Sequence, residues 1–95
     1  IGEHMKNINV IEKFIVEKQA NTKSLRSNGM TLWSYNEIIG FHLNGEVFAI
    51  DYTSTGRFLS QTTSTHVNML KRQSGVKVVS PQEWDIMFRK FFGNH

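Results

Sequence analysis

Hydrophobic and polar positions follow a strand-like pattern in the middle of the chain. Three runs there are rich in β-branched and aromatic residues, Thr31 to Tyr35, Ile38 to Leu43 and Glu46 to Tyr52, which favours strands. Asn44-Gly45 separates the last two runs, and both residues accept the positive φ angles of a type I′ turn. The pattern therefore predicts a β-hairpin around this turn.

The periodicity changes to that of a helix after the hydroxyl-rich segment Ser60 to Thr65, which offers several N-cap candidates. Within and beyond this segment, Thr63, His66, Val67 and Leu70 fall on one face of a helix. Gly75 fits the position after the end of this helix. Val76-Lys77-Val78-Val79 then predicts a strand.

A second helix is predicted by a capping box. Ser80 is suited to the N-cap, Pro81 to the first helical position and Glu83 to the third. An apolar stripe with helical spacing follows, made of Trp84, Met87, Phe88, Phe91 and Phe92.

The N-terminal part of the chain leaves two interpretations open. Ile8, Ile11 and Phe14 have helical spacing, whereas Phe14 and Val16 alternate as in a strand, so residues 8–18 fit either. Residues 20–26 are poor helix formers and predict an exposed strand. Turns are predicted at residues 27–29 and 53–56, with a short strand at residues 57–59.

The order of these elements, strands, helix, strand, helix, predicts the α+β class. We expect an antiparallel β-meander of about four to six strands with two helices packed on one face. A length of 95 residues allows one small domain. Residues 1–4 precede Met5 and are typical of an expression-vector remnant, which leaves residues 5–95 as the single α+β domain.

Composition excludes several classes of chemistry. The chain has no cysteine, which removes disulfides, thiol nucleophiles and cysteine-based metal sites. It has no HExxH, phosphate-cradle or nucleophile-elbow motif. The hydroxyls before His66 fit turns and caps better than a hydrolase site. We therefore expect a non-enzymatic protein without catalytic residues, cofactor or metal. We also expect it to be located in the cytoplasm. No membrane contact is expected, because no apolar run approaches about 20 residues.

Charge and aromatic content favour contact with DNA or RNA. The formal net charge is +3, and aromatic residues on the predicted sheet would be able to stack on bases. The candidate nucleic-acid contacts are Lys18, Lys23, Arg26, Arg57, Lys71, Arg72 and Lys77.

Two segments carry a resemblance to a known group. Leu32-Trp33-Ser34-Tyr35 through Ile38-Ile39, and residues 61–68 with the sequence Gln-Thr-Thr-Ser-Thr-His-Val-Asn, resemble small, mostly uncharacterised proteins of tailed phages and mobile elements. Residues 20–27 are similar as well, which favours strands in the N-terminal part. Gly40 departs from the alanine usual in that group, and Thr65 departs from a basic residue. The resemblance implies that Ser34, Tyr35, Thr63, His66 and Asn68 form either a shared binding surface or a set of caps, turns and packing contacts.

The resemblance also implies a function. We expect a phage-type accessory protein that binds a host protein or nucleoprotein in the host cytoplasm, as host-takeover proteins and defence inhibitors do. The alternative is a sequence-independent nucleic-acid-binding accessory protein. On the last helix Ile86 points away from the apolar stripe and has Arg89 and Lys90 beside it, which predicts a partner surface or a homodimer contact.

Overall fold

The computed structural model describes residues 6–50 and 61–91. Three helices and six strands lie within these ranges. In chain order they are α1 (Asn7–Ile15), β1 (Gln19–Asn21), β2 (Leu25–Asn28), β3 (Thr31–Ser34), β4 (Glu37–Leu43), β5 (Glu46–Ile50), α2 (Gln61–Lys71), β6 (Val76–Val79) and α3 (Pro81–Phe91).

The six strands form one sheet in the order β1-β2-β3-β4-β5-β6. The first five strands pair antiparallel as a meander, which confirms the predicted α+β class. The sixth strand departs from the meander because it pairs parallel to β5, with Val47 opposite Val76 and Ile50 opposite Val79. Adjacent parallel strands need a crossover between them, and α2 lies in that connection.

Helices cover both faces of the sheet. A Cβ atom on Gly40 would lie 2.7 Å from Leu70 Cδ2 of α2 and 3.3 Å from Phe14 Cε2 of α1, so both helices pack on the face to which position 40 points. Its neighbour Phe41 points to the opposite face, where its ring centroid is 4.7 Å from that of Trp84 in α3. The expectation that the helices share one face is therefore wrong.

The N-terminal segment is a helix, and the strand interpretation favoured by the resemblance is wrong for it. Val10, Ile11 and Phe14 lie on one side of α1 and are fully buried against the sheet. The predicted exposed strand at residues 20–26 is also wrong as one element, because a turn at Thr22 divides it into β1 and β2. Leu25, at the start of β2, is buried.

The hairpin and the capping box are confirmed. Asn44 and Gly45 have φ angles of 51° and 79°, as a type I′ turn requires. The Ser80 hydroxyl accepts the backbone N–H of Glu83 at 3.2 Å and so caps α3. Several predictions concern residues outside the described ranges. They are the vector remnant at 1–4, the turn at 53–56, the strand at 57–59, the N-cap candidate Ser60, and Phe92 of the apolar stripe.

Candidate functional site

A chain of buried and half-buried polar side chains connects α1, the β1–β2 turn, β3 and α2. We call it the polar network, and its members are Asn7, Thr22, Ser34, Thr63 and His66. Asn7 begins α1, Thr22 lies in the turn, Ser34 ends β3, and the other two lie one helical turn apart on the buried face of α2. Among described residues, no buried side-chain nitrogen or oxygen lacks a hydrogen-bond partner.

The direction of each hydrogen bond in this network follows from Thr22. Its Oγ1 accepts the backbone N–H groups of Ser24 at 3.3 Å and Leu25 at 3.1 Å, so its own proton is donated to Asn7 Oδ1 at 2.6 Å. The Asn7 amide is thereby oriented with Nδ2 towards His66 Nε2, 3.1 Å away. His66 Nε2 therefore accepts, and the proton of the neutral imidazole is on Nδ1.

The proton on Nδ1 decides what Ser34 is able to do. His66 Nδ1 lies 2.7 Å from Ser34 Oγ and donates to it, and the Ser34 hydroxyl donates onward to Thr63 Oγ1 at 3.0 Å. A serine nucleophile requires the reverse, with its proton directed to the imidazole. Ser34 is 0% and His66 1% exposed, so a substrate would have no access to this pair. The arrangement is that of a structural contact between β3 and α2.

Burial also acts on the charge of His66. Desolvation of the imidazole lowers its pKa below the ordinary 6.5. The Asn7 orientation acts in the same sense, because a proton on Nε2 would face the amide N–H groups of Asn7. Both effects favour the neutral imidazole of His66 in the folded protein.

The two remaining residues implied by the resemblance are exposed. Tyr35 is 52% exposed, and its ring centroid is 6.5 Å from that of His66. Its φ of 54° is unusual for a tyrosine, and its backbone N–H donates to Ser24 O at 2.9 Å. Asn68 is exposed on α2. Ser34, Thr63 and His66 thus form a buried packing contact, and Tyr35 and Asn68 are the members of this set that are accessible to a partner.

The sheet face opposite α1 carries a different type of site. Arg26 on β2 and Trp33 on β3 are paired in register, and the guanidinium carbon is 5.2 Å from the indole centroid. The indole N–H donates to Thr31 Oγ1 at 3.1 Å, which fixes the ring. Arg26 is exposed and Trp33 is half-buried. The contact is a cation–π pair at the surface of the sheet.

The chain segment that contains this pair carries charge of one sign. Residues 18–36, which contain β1, β2 and β3, have no aspartate or glutamate and three cations, Lys18, Lys23 and Arg26. All three are exposed, with Lys18 just before β1 and Lys23 in the turn after it. We call residues 18–36 the basic sheet half. The sequence itself shows that no acid lies between Glu17 and Glu37, but a count of cations alone does not reveal this feature.

The other candidate nucleic-acid contacts do not join this group. Lys71 ends α2 and Arg72 follows it, next to Leu70, which packs on the sheet face covered by α1 and α2. Lys77 on β6 forms an ion pair with Glu46, at the far edge of the sheet from β1. Arg57 lies outside the described residues. The candidate cations within the described ranges therefore do not form one continuous track.

Ile86 is exposed on α3, as the sequence predicts. It is 67% exposed, and Arg89 and Lys90, one turn further along the helix, are exposed with it. The neighbouring Trp84 is buried, which confirms the direction of the apolar stripe.

The histidines do not share a site. His42 Nε2 donates to the Phe14 carbonyl at 2.6 Å, and its Nδ1 lies 3.8 Å from a carboxylate oxygen of Glu17. His66 has the separate partners given above. In the part of the chain that the structure describes, no three histidine or acidic side chains are grouped as metal ligands would be. No helix within these same ranges is long and apolar enough to cross a membrane.

The comparison with protein families assigns the chain to a group. A family of unknown function, DUF8033, matches residues 2–86, and the protein belongs to this family. No curated protein and no solved structure matches the chain.

Proposed function

We propose that this protein is a non-enzymatic binding protein whose basic sheet half contacts the phosphate backbone of nucleic acid, free or within a nucleoprotein. The main support for this proposal is that all charged side chains of residues 18–36 are positive. Residues 18–36 place three exposed cations and no acid on one half of a single sheet, which gives this segment a positive charge. Phosphate binding to such a surface releases counterions and needs no base sequence.

The polar network supports the non-enzymatic part of the proposal. Its only serine–histidine pair is buried, and its hydrogen bonds run from the imidazole to the hydroxyl. It stabilises the packing of β3 on α2 and leaves no group poised for nucleophilic attack.

Salt dependence tests the proposal. Binding of a labelled oligonucleotide is measured by fluorescence anisotropy over a series of salt concentrations. Three phosphate contacts predict a slope of about −2 for log K against log salt with a single strand. Lys23→Glu should weaken binding, because it reverses one of these cations.

Arg72→Glu is the matched control. It changes the net charge by the same amount at an exposed position just after α2, outside the basic sheet half. We expect Lys23→Glu to weaken binding more than this control does. Equal losses in the two variants would mean that α2 contributes as the sequence suggests, and absence of binding at low salt would overturn the proposal.

A protein partner is the second candidate, and the exposure of Ile86 favours it. Ile86 has the greatest exposure among the exposed large hydrophobic side chains of the described residues, and two cations flank it on the same helix. An apolar centre with a polar rim is the composition of a small protein contact. Phage origin and a role in host takeover or defence inhibition stay predictions, since the family match carries no activity.

A further inference from the structure

We infer that the basic sheet half binds single-stranded nucleic acid and stacks one base on the Arg26–Trp33 pair. This inference rests on the proposed function and names the form of nucleic acid that the same site takes. It depends on the geometry of the pair, whereas the proposed function depends only on charge.

The pair places a planar cation over an aromatic ring at the surface of the sheet. The Arg26 guanidinium lies over the Trp33 indole, and the Thr31 hydroxyl holds the indole in place from the same strand. Guanidinium planes and aromatic rings both stack on unpaired bases. Bases inside a duplex are already stacked on both sides and have no free face to offer, so this platform distinguishes single strands from duplexes.

The neighbours of the pair fit the rest of a nucleotide. Asn21 on β1 is directly opposite Arg26 in the strand register and is exposed, so its amide is available to the edge of a stacked base. Asn28 is different, because its Oδ1 already accepts the backbone N–H groups of Met30 and Thr31. Lys18 and Lys23 at the two ends of β1 supply charge for the flanking phosphates.

Exposed side chains of β1 and β2 on this face are available to a strand of nucleic acid. The aromatic contacts of α3 on the same face are made with β4, through the ring of Phe41, and α3 also contacts β6. Arg26 on β2 and Asn21 on β1 are exposed. The charge of this region is complementary to a polyanion, which identifies the occupant as nucleic acid in preference to a second copy of this basic chain.

Arg26→Lys separates stacking from charge. It keeps the cation and removes the planar group, so single-strand affinity should fall about tenfold, as expected for a lost stacking contact. Affinity for a duplex of the same length and the salt slope should be unchanged. Lys13→Arg is the matched control, because it also exchanges one cation for another, at an exposed position of α1 outside the basic sheet half, and it should change neither affinity.

Trp33 fluorescence supplies a second readout. In a Trp84→Phe background Trp33 is the sole tryptophan, and its emission should be quenched by a single-stranded oligonucleotide and not by the duplex. Circular dichroism verifies that each variant is folded. If Arg26→Lys leaves single-strand affinity unchanged, or lowers single-strand and duplex affinity equally, stacking is overturned and the charge-based function stands. If the wild-type protein binds neither probe at low salt, both fail.

Discussion

The Nδ1 atom of His66 lies 2.7 Å from the hydroxyl of Ser34, and the proton between them belongs to the histidine. The series of hydrogen bonds that leads to this contact begins at Thr22, in the turn between β1 and β2. One uninterrupted direction of donation therefore connects that turn, α1, α2 and β3. Each polar group obtains its partner inside the protein, which offsets the cost of burying it.

The first prediction concerns stability against acid. The pKa of His66 is lowered in the folded state by burial, so the unfolded chain binds more protons below about pH 6.5. The contribution of this group is fully present above that pH and is lost as the pH falls towards the folded-state pKa. Denaturant titrations at successive pH values should show this decrease, and His66→Gln should have a smaller one. Equal acid dependence in both proteins would contradict the predicted role of His66.

Asn7→Asp should reverse the effect. The substitution places a carboxylate oxygen opposite Nε2, where the amide N–H is now, and the charged imidazole becomes the better partner. The pKa of His66 would then rise above its unfolded value. The added stability would be present below about pH 6.5 and would be lost as the pH rises through the raised pKa. Unchanged acid sensitivity in Asn7→Asp would contradict the contact between position 7 and His66 Nε2.

Local signals in the sequence account for the elements that were predicted well. The Asn44-Gly45 turn and the Ser80 cap each depend on residues within a few positions, and both are formed as predicted. The helix face of Thr63, His66, Val67 and Leu70 is likewise a short-range pattern, and all four residues are buried.

The errors concern choices that depend on tertiary contacts. Residues 8–18 fit two periodicities, and the helix Asn7–Ile15 forms because Phe14 packs on the sheet beside Gly40. The parallel pairing of β6 and the position of α3 on the second face have no local signature. Asn7 and His66 are 59 residues apart, so no local pattern in the sequence predicts their hydrogen bond. The resemblance points to Ser34 and Thr63 of the same polar network. It allows two roles for them, a binding surface or packing contacts.

Gly40→Ala tests the close approach of α2 to the sheet. The added methyl group would lie 2.7 Å from Leu70 Cδ2 and 3.2 Å from the Phe48 carbonyl oxygen. We expect a loss of about 1–3 kcal/mol in the free energy of unfolding, because overpacking forces the neighbours to shift. The loss should be smaller in a Leu70→Val background, where the closest atom can be accommodated. Equal losses in the two backgrounds, measured by denaturant titration, would exclude Leu70 as the cause.

Trp84→Ala tests the packing of α3 on the second face of the sheet. Trp84 is 6% exposed, with its ring edge against Phe41 and its ring stacked near Phe88. Removing it should cost about 3–5 kcal/mol, which is enough to unfold a domain of this size. Asp85→Ala, at the exposed neighbouring position, is the control and should change the melting temperature little. A cooperatively folded Trp84→Ala protein with the wild-type melting temperature would be incompatible with this packing.

Ile86→Asp tests the outer surface of α3. Because Ile86 is 67% exposed, its replacement should leave the melting temperature nearly unchanged. If Ile86 with Arg89 and Lys90 forms a contact between two copies or with a protein target, the added carboxylate should abolish dimerisation in sedimentation or capture of the target in a pull-down. Gln82→Asp introduces the same charge at another exposed position of α3 and should leave association intact. Loss of association in both variants would indicate an effect of charge alone, and unchanged association in Ile86→Asp would remove this surface from the function of the protein.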